Sequence, residues 1–353
     1  MTSGSTSAPK PIVFSQTTKV KRSLAAQELY DVTDDDVTLL ATPMYHSISQ
    51  RLVLMPLITG GTCVIMKRFS PRVWFTLVDR HKVSFCIVVS SQLEIIMEEL
   101  VSRDTYSSSL RCIVCCCAML KEDVKRRLMT ELQCEFHECY GASEVGIVSN
   151  LSSSDGLSKH HTVGRAAPGV EIKIVDTSRN SLESGVIGEI ACKSPMRFSR
   201  YYNNEKATSA SMDDDFFFTG DTGYLDEDDF LVFTGRTKEL VITGGTNVYP
   251  SDVESVLNEH PGVKECAIIG VEDVRLGEAI LALVISQTGV NLTVRDLQLH
   301  CMHRLADYQQ PLGYVFLDDF PRTELGKVIK HKLVERYRDH DLTAEIRAVL
   351  HHI

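Results

Sequence analysis

Thr234-Gly-Arg-Thr-Lys-Glu-Leu-Val-Ile-Thr-Gly-Gly-Thr-Asn-Val-Tyr-Pro-Ser-Asp-Val-Glu254 is the stretch on which the reading of this chain turns. Two cations, Arg236 and Lys238, open it inside a strand-like run. Gly244-Gly245 follows, where the backbone is free to take positive φ, and Pro250 presets the entry to a helix at Ser251. Cations beside a permissive turn suit a joint next to an anion. Alone, the stretch also reads as an ordinary surface hairpin, so the surrounding sequence has to decide.

On its C-terminal side, Val253–Glu259 reads as helix, Cys266–Val271 and Ala279–Ser286 as strands, and Val294–Leu305 as helix. That is a small α+β domain ending in the turn Thr323-Glu-Leu-Gly326, which presents Lys327. On its N-terminal side, Val37–Ala41, Thr62–Met66, Val83–Val89, Arg111–Val114 and Glu135–Cys139 are short apolar runs. They alternate with segments of helical length at Pro71–His81, Gln92–Leu100 and Lys121–Gln133, and alternation of this kind implies a wound α/β sheet with ligands beyond the strand ends. Between Gln16 and Tyr30 a helical period places Val20, Leu24 and Leu29 on one side. Residues 151–163, rich in Ser and His, read as a linker. The expected division is an α/β lobe over 1–150, a second part over 151–236 and a mobile C-terminal domain over 237–353.

The bulk numbers exclude several classes. At 353 residues, with 43% hydrophobic and 24% charged residues, the chain has the size and composition of a globular protein of two or three domains. A net charge of −10 argues against a general binder of nucleic acid or anionic membrane. No apolar run has membrane-spanning length. The eleven cysteines read as reduced thiols of a cytoplasmic protein. Cys112 to Cys117, with Cys134, His137 and Cys139, lack the paired spacing of a zinc ribbon, and successive strand residues point to opposite faces. A zinc site is not expected there.

Four further motifs accompany the opening stretch: Thr2-Ser-Gly-Ser-Thr-Ser-Ala-Pro-Lys10, Tyr140-Gly-Ala-Ser-Glu144, Gly220-Asp221-Thr222-Gly223 and Pro321-Arg-Thr-Glu-Leu-Gly-Lys327. In this order and spacing the chain resembles the adenylate-forming enzymes: acyl-CoA synthetases, coumarate–CoA ligases, luciferases and peptide-synthetase adenylation domains. The resemblance implies a small barrel over residues 151–236 and ATP, Mg²⁺ and CoA as ligands. It implies a phosphate loop of Thr2, Ser3, Gly4, Ser5, Thr6 and Lys10, with Ser7 and Pro11 where the family has glycines. Cys116 and Cys117 stand in an adenine-side loop that normally carries small residues. Tyr140 and Gly141 would face adenine, Ser143 and Glu144 phosphate and Mg²⁺, and Asp221 and Arg236 the ribose and α-phosphate. His46, in Thr42-Pro-Met-Tyr-His46, would lie by the carboxylate being activated. It stands where amino-acid-activating relatives carry an aspartate, which disfavours an amino-acid substrate. Lys327 would act in adenylate formation, Lys238 as the pivot, and Gly244, Gly245 and Arg68 at CoA.

The implied activity is an ATP-dependent acid–CoA ligase. Acyl transfer to a carrier-protein thiol, or a non-catalytic nucleotide-binding remnant, are the alternatives. The family's N-terminal lobe has no counterpart before the phosphate loop, so the expectation is a self-associating fragment or one half of a split enzyme.

Overall fold

The computed structural model describes residues 10–102, 109–118, 120–323 and 326–338. They divide into two units. The first runs to Thr219 and takes in Gly223–Phe233, and the second holds Gly220–Thr222 and the chain from Thr234 onward.

The first unit is built on a seven-stranded sheet. Thr62–Ile65, Val37–Leu40, Phe85–Val89, Cys112–Cys116 and Glu135–Ala142 lie side by side in that order, all parallel. Gly146–Ser152 and Arg165–Ala166 continue the sheet antiparallel. Helices Ser47–Thr59, Pro71–His81, Ser90–Ser102 and Glu122–Glu131 occupy the crossovers between successive parallel strands, as parallel pairing requires. Phe85–Val89 and Cys112–Cys116 are buried along their whole length, because helices cover both faces. Alternate residues feed two cores. Leu39, Cys86, Ile113 and Phe136 pack with Trp74 on one side, and Leu40, Phe85, Val114 and Cys116 pack with Ala26, Tyr30, Leu52 and Met55 on the other. Each large side chain so buried contributes about 1.5–3 kcal/mol.

The first helix, Gln16–Leu29, presents a different face from the one its apolar spacing suggests. Val20 and Leu24 are 42% and 43% exposed, while Arg22, Ser23 and Ala26 are buried. Ala26 and the C-cap Tyr30 meet the sheet, and that rotation turns Arg22 inward. The expected linker is also partly structured: strand Gly146–Ser152 runs into it, and Ser152 caps a 3₁₀ turn over Ser153–Asp155. Where a barrel is expected stands a five-stranded sheet, with Phe216–Leu225 paired to Met212–Asp213, Gly188–Lys193 and Leu231–Arg236, and Glu171–Val175 beyond Gly188–Lys193.

In the second unit, Thr246–Val248, Val241–Thr243, Gly277–Ser286 and Val263–Asp273 form a sheet in that order, and Gly313–Phe316 adds parallel to Gly277–Ser286. Helices Pro250–Asn258 and Val294–Met302 contribute to the core on one face, with Val253, Leu257, Leu297 and Cys301. Leu333 of helix Lys330–Tyr337 joins the core on the other. The wound α/β sheet followed by a small α+β domain is as expected. Among the described residues no helix is long and apolar enough to cross a membrane.

Candidate active site

Tyr140-Gly-Ala-Ser-Glu144 ends the strand Glu135–Ala142 and turns back into Gly146–Ser152. The hairpin is tight enough that a Cβ on Gly141 would lie 2.1 Å from the Gly146 carbonyl oxygen, so only glycine fits there. Arg22 holds the turn from behind. Its Nη1 donates to the Ser143 carbonyl at 2.9 Å, its Nη2 to the Glu144 carbonyl at 2.8 Å and its Nε to the Met196 carbonyl at 2.9 Å. The Phe198 N–H donates to the same Glu144 carbonyl at 2.6 Å.

The Glu144 side chain is buried, and its Oε1 accepts a 2.7 Å hydrogen bond from the Tyr201 hydroxyl. Burial, and then the adjacent carboxylate, push the Tyr201 hydroxyl well above its ordinary pKa, so it remains a donor. Oε2 is left for another ligand. Glu144 and its sequence neighbour Ser143 supply a carboxylate and a hydroxyl, oxygen donors of the kind a hard cation takes. The Lys10 ammonium lies 4.8 Å from the centroid of the Tyr201 ring. Thr2, Ser3, Gly4, Ser5 and Thr6 lie outside the described residues. The Tyr140 ring packs 5.8 Å from that of Phe233.

Cys116 and Cys117 close the end of the neighbouring strand, with sulfurs 3.7 Å apart. Cys117 takes φ 84°, a conformation for which glycine is the usual residue. His46 is the N-cap of helix Ser47–Thr59, its ring 4.5 Å from that of Tyr45. Its Nε2 is buried without a hydrogen-bond partner among the described residues, and burial lowers the imidazole pKa. Arg68 is exposed. At the opposite, N-terminal ends of two neighbouring strands, the ligand atoms of Cys112, Glu135 and His137 come within 4.8 Å of one another. Asn150 occupies His137 Nδ1 at 3.0 Å, and burial first of all drives the Cys112 thiol upward and away from thiolate.

In the second unit, Arg236 Nε lies 3.0 Å from Oδ1 of the buried Asp221. Lys238 sits exposed in the 3₁₀ turn Thr237–Glu239. Gly244 and Gly245 make the two-residue turn between Thr243 and Thr246, with φ 55° and 78°. In the terminal turn, the Thr323 N–H donates to the Lys327 carbonyl at 2.8 Å, and the Lys327 N–H to Thr323 Oγ1 at 3.2 Å. The Lys327 ammonium has no hydrogen bond or ion pair among the described residues.

Comparison with known proteins settles what kind of chain this is. Residues 1–202 match the AMP-binding enzyme family, and residues 252–327 match the AMP-binding enzyme C-terminal domain. The chain belongs to the AMP-binding enzyme family. An indoleacetate–CoA ligase of Aromatoleum aromaticum is 31% identical over 335 residues, covering 93% of this chain and 65% of the relative. A fatty acid–[acyl-carrier-protein] ligase, ScoC, of Streptomyces coeruleorubidus is 29% identical, covering 95% of this chain and 66% of the relative. The crystal structure of ATP-bound MatB from Rhodopseudomonas palustris superposes with a TM-score of 0.89 at 31% identity, covering 96% of this chain and 67% of that one. The chain thus spans just under two thirds of the length of these two curated relatives.

Three residues of this AMP-binding enzyme escape a reading of the sequence. Arg22 and Tyr201 position the Glu144 turn but are remote from it in sequence. Lys330, three residues past Lys327, pairs with Glu254 at 2.7 Å and Glu239 at 3.4 Å. Burial opposes its charge, but the two carboxylates outweigh that and raise its pKa. No pattern marks the first two. Nor does anything in the sequence around Lys330 mark it as a paired cation.

Proposed function

We propose that this AMP-binding enzyme chain carries the machinery of an ATP-dependent acid–CoA ligase. A carboxylate oxygen attacks the α-phosphorus of ATP, the bond to the leaving pyrophosphate breaks, and acyl-AMP forms. The CoA thiol then attacks the acyl carbon, forming the thioester and expelling AMP. No enzyme nucleophile is required. Positioning and charge neutralisation lower the barrier. The observation that carries this reading is the pair of family matches spanning both units, in a chain whose relatives include a CoA ligase.

In this reading Asp221 accepts hydrogen bonds from the ribose and Arg236 approaches the α-phosphate. Tyr140, Gly141, Cys116 and Cys117 surround adenine, while Thr2, Ser3, Gly4, Ser5, Thr6 and Lys10 hold the phosphates. Glu144 and Ser143 would hold Mg²⁺, which when bound offsets phosphate charge. His46, neutral because burial lowers its pKa, borders the acid without adding a cation of its own. Lys327 steadies the carboxylate and α-phosphate in the first step. Lys238 is the pivot of a mobile domain over residues 237–353, and Gly244, Gly245 and Arg68 serve CoA in the second step.

The test is ATP–pyrophosphate exchange across a panel of carboxylic acids. At least one acid should support exchange, and CoA should then release AMP. ATP binding without exchange for any acid would overturn the reading in favour of a nucleotide-binding remnant. The 29% identical carrier-protein ligase favours a second reading, in which a phosphopantetheinylated carrier accepts the acyl group. Offering the two thiols side by side separates them.

A further inference from the structure

Arg51 lies on helix Ser47–Thr59, only 8% exposed, yet its Nε is buried with no hydrogen-bond partner among the described residues. No described carboxylate forms a salt bridge with it. A buried guanidinium in that state is costly, and native proteins ordinarily pair it or give it a ligand. Two more cations lie close by. Arg22 is held below the ordinary guanidinium range by burial first and by Arg51 second, with Glu144 pulling the other way. Lys19 is lowered by burial, then by Arg22 and Arg51. Three mutually repelling cations thus lie together, and the carboxylate that acts on Arg22, Glu144, is already engaged by Tyr201. Arg22 spends its donors on main-chain carbonyls, and Lys19 donates to Gln50 Oε1. Of the three, only Arg51 has no hydrogen bond or ion pair among the described residues, and the other titratable groups it acts on are Cys139 and Tyr30.

Beside Arg51 is a cavity of about 60 Å³, which it lines together with Arg22, Leu29, Ile147, Pro168 and Met196. The floor is cationic and most of the wall is apolar. Glu28 also lines the cavity, is exposed, and pairs with neither arginine among the described residues.

We propose that this cavity is a binding site for a small carboxylate, whose two oxygens pair with the Arg51 guanidinium and whose carbon stem rests on Ile147, Pro168 and Met196. The planar fork of arginine matches a carboxylate in a bidentate manner, which a tetrahedral, fully hydrated oxyanion with no apolar part does not reproduce against these walls. The site stands apart from the adenylation reading, because binding here requires neither ATP nor turnover.

The experiment titrates succinate into the intact chain without nucleotide and follows thermal unfolding and calorimetric heat, with sodium chloride and sodium sulfate at matched ionic strength as controls. Succinate should raise the melting temperature and show saturable binding. Arg51→Met should weaken that binding by about tenfold or more, with Arg51→Lys intermediate. Arg51→Met should also unfold at the same or a higher temperature than the parent when no anion is present, because it removes an uncompensated buried charge. A merely structural arginine would give the opposite: Arg51→Met destabilised, and succinate without effect on either protein. An equal response of parent and Arg51→Met to succinate overturns the site. A sulfate response matching that of succinate overturns the carboxylate assignment.

Discussion

Arg22 does its work through main-chain oxygens: it fixes the turn that presents Ser143 and Glu144, and Tyr201 fixes the Glu144 carboxylate itself. Removing the guanidinium strands the buried carbonyl of Met196 and the partly buried carbonyl of Ser143, while the Glu144 carbonyl keeps the Phe198 N–H. At about 1–3 kcal/mol for an unsatisfied buried acceptor, the Met196 carbonyl alone should make Arg22→Ala lower stability in urea unfolding by roughly 1–3 kcal/mol. Val20→Ala, two residues away on the exposed side, should cost under about 0.5 kcal/mol. Equal losses would mean that the helix presents the Val20–Leu24 face to the core after all. Such residues were not legible beforehand for a physical reason. Arg22 reaches Ser143 across 121 positions and Met196 across 174, and no local period encodes partners that distant. Asp221, Arg236 and Lys327 stand out in the sequence because each sits inside a contiguous motif.

Elements were legible wherever local chemistry and burial agree. Pro71–His81 begins at a proline in the first helical position and ends in Arg80 and His81 before a left-handed Lys82, so both ends are written in the sequence. Helix Ser47–Thr59 is hidden in the sequence, because Pro56 lies inside it and Ser49 and Arg51 sit on its buried face, a pattern that masks the apolar stripe. Helix Lys330–Tyr337 depends on a tether of another kind. Lys330 holds Glu239, in the 3₁₀ turn that contains Lys238, and Glu254, which also accepts from the Ile268 N–H at 2.7 Å. Because its folded pKa is raised above the unfolded value of 10.5, its stabilisation is fully present below about that pH and is lost as pH rises through the higher, folded value. The parent should therefore lose stability at alkaline pH more steeply than Lys330→Met. At neutral pH that substitution should itself cost about 1.5–3 kcal/mol, the range for hydrogen bonds to charged groups. Urea midpoints at pH 7 and pH 11 check both points, and an unchanged midpoint at pH 7 would remove Lys330 from the account.

At the scale of the molecule, the proposed chemistry is divided between the units, and Lys327 tests that division most directly. Its backbone N–H and carbonyl are both engaged by Thr323, and Gly326 takes φ 80° to close the turn. Its ammonium meets no carboxylate among the described residues, so an alanine should leave the turn and its stability intact. Any loss of function is then attributable to the missing charge. If that charge stabilises only the transition state of adenylate formation, Lys327→Ala should slow pyrophosphate exchange by on the order of 10²–10³-fold. Conversion of supplied acyl-AMP and CoA to thioester should proceed at nearly the parent rate, since no α-phosphorus is attacked in that step. Arg236→Met makes the informative contrast: it leaves the buried Asp221 carboxylate without the 3.0 Å cation and should weaken handling of the nucleotide in both half-reactions. Should Lys327→Ala lose both half-reactions equally, the ammonium must act in both, and a role confined to adenylation is wrong.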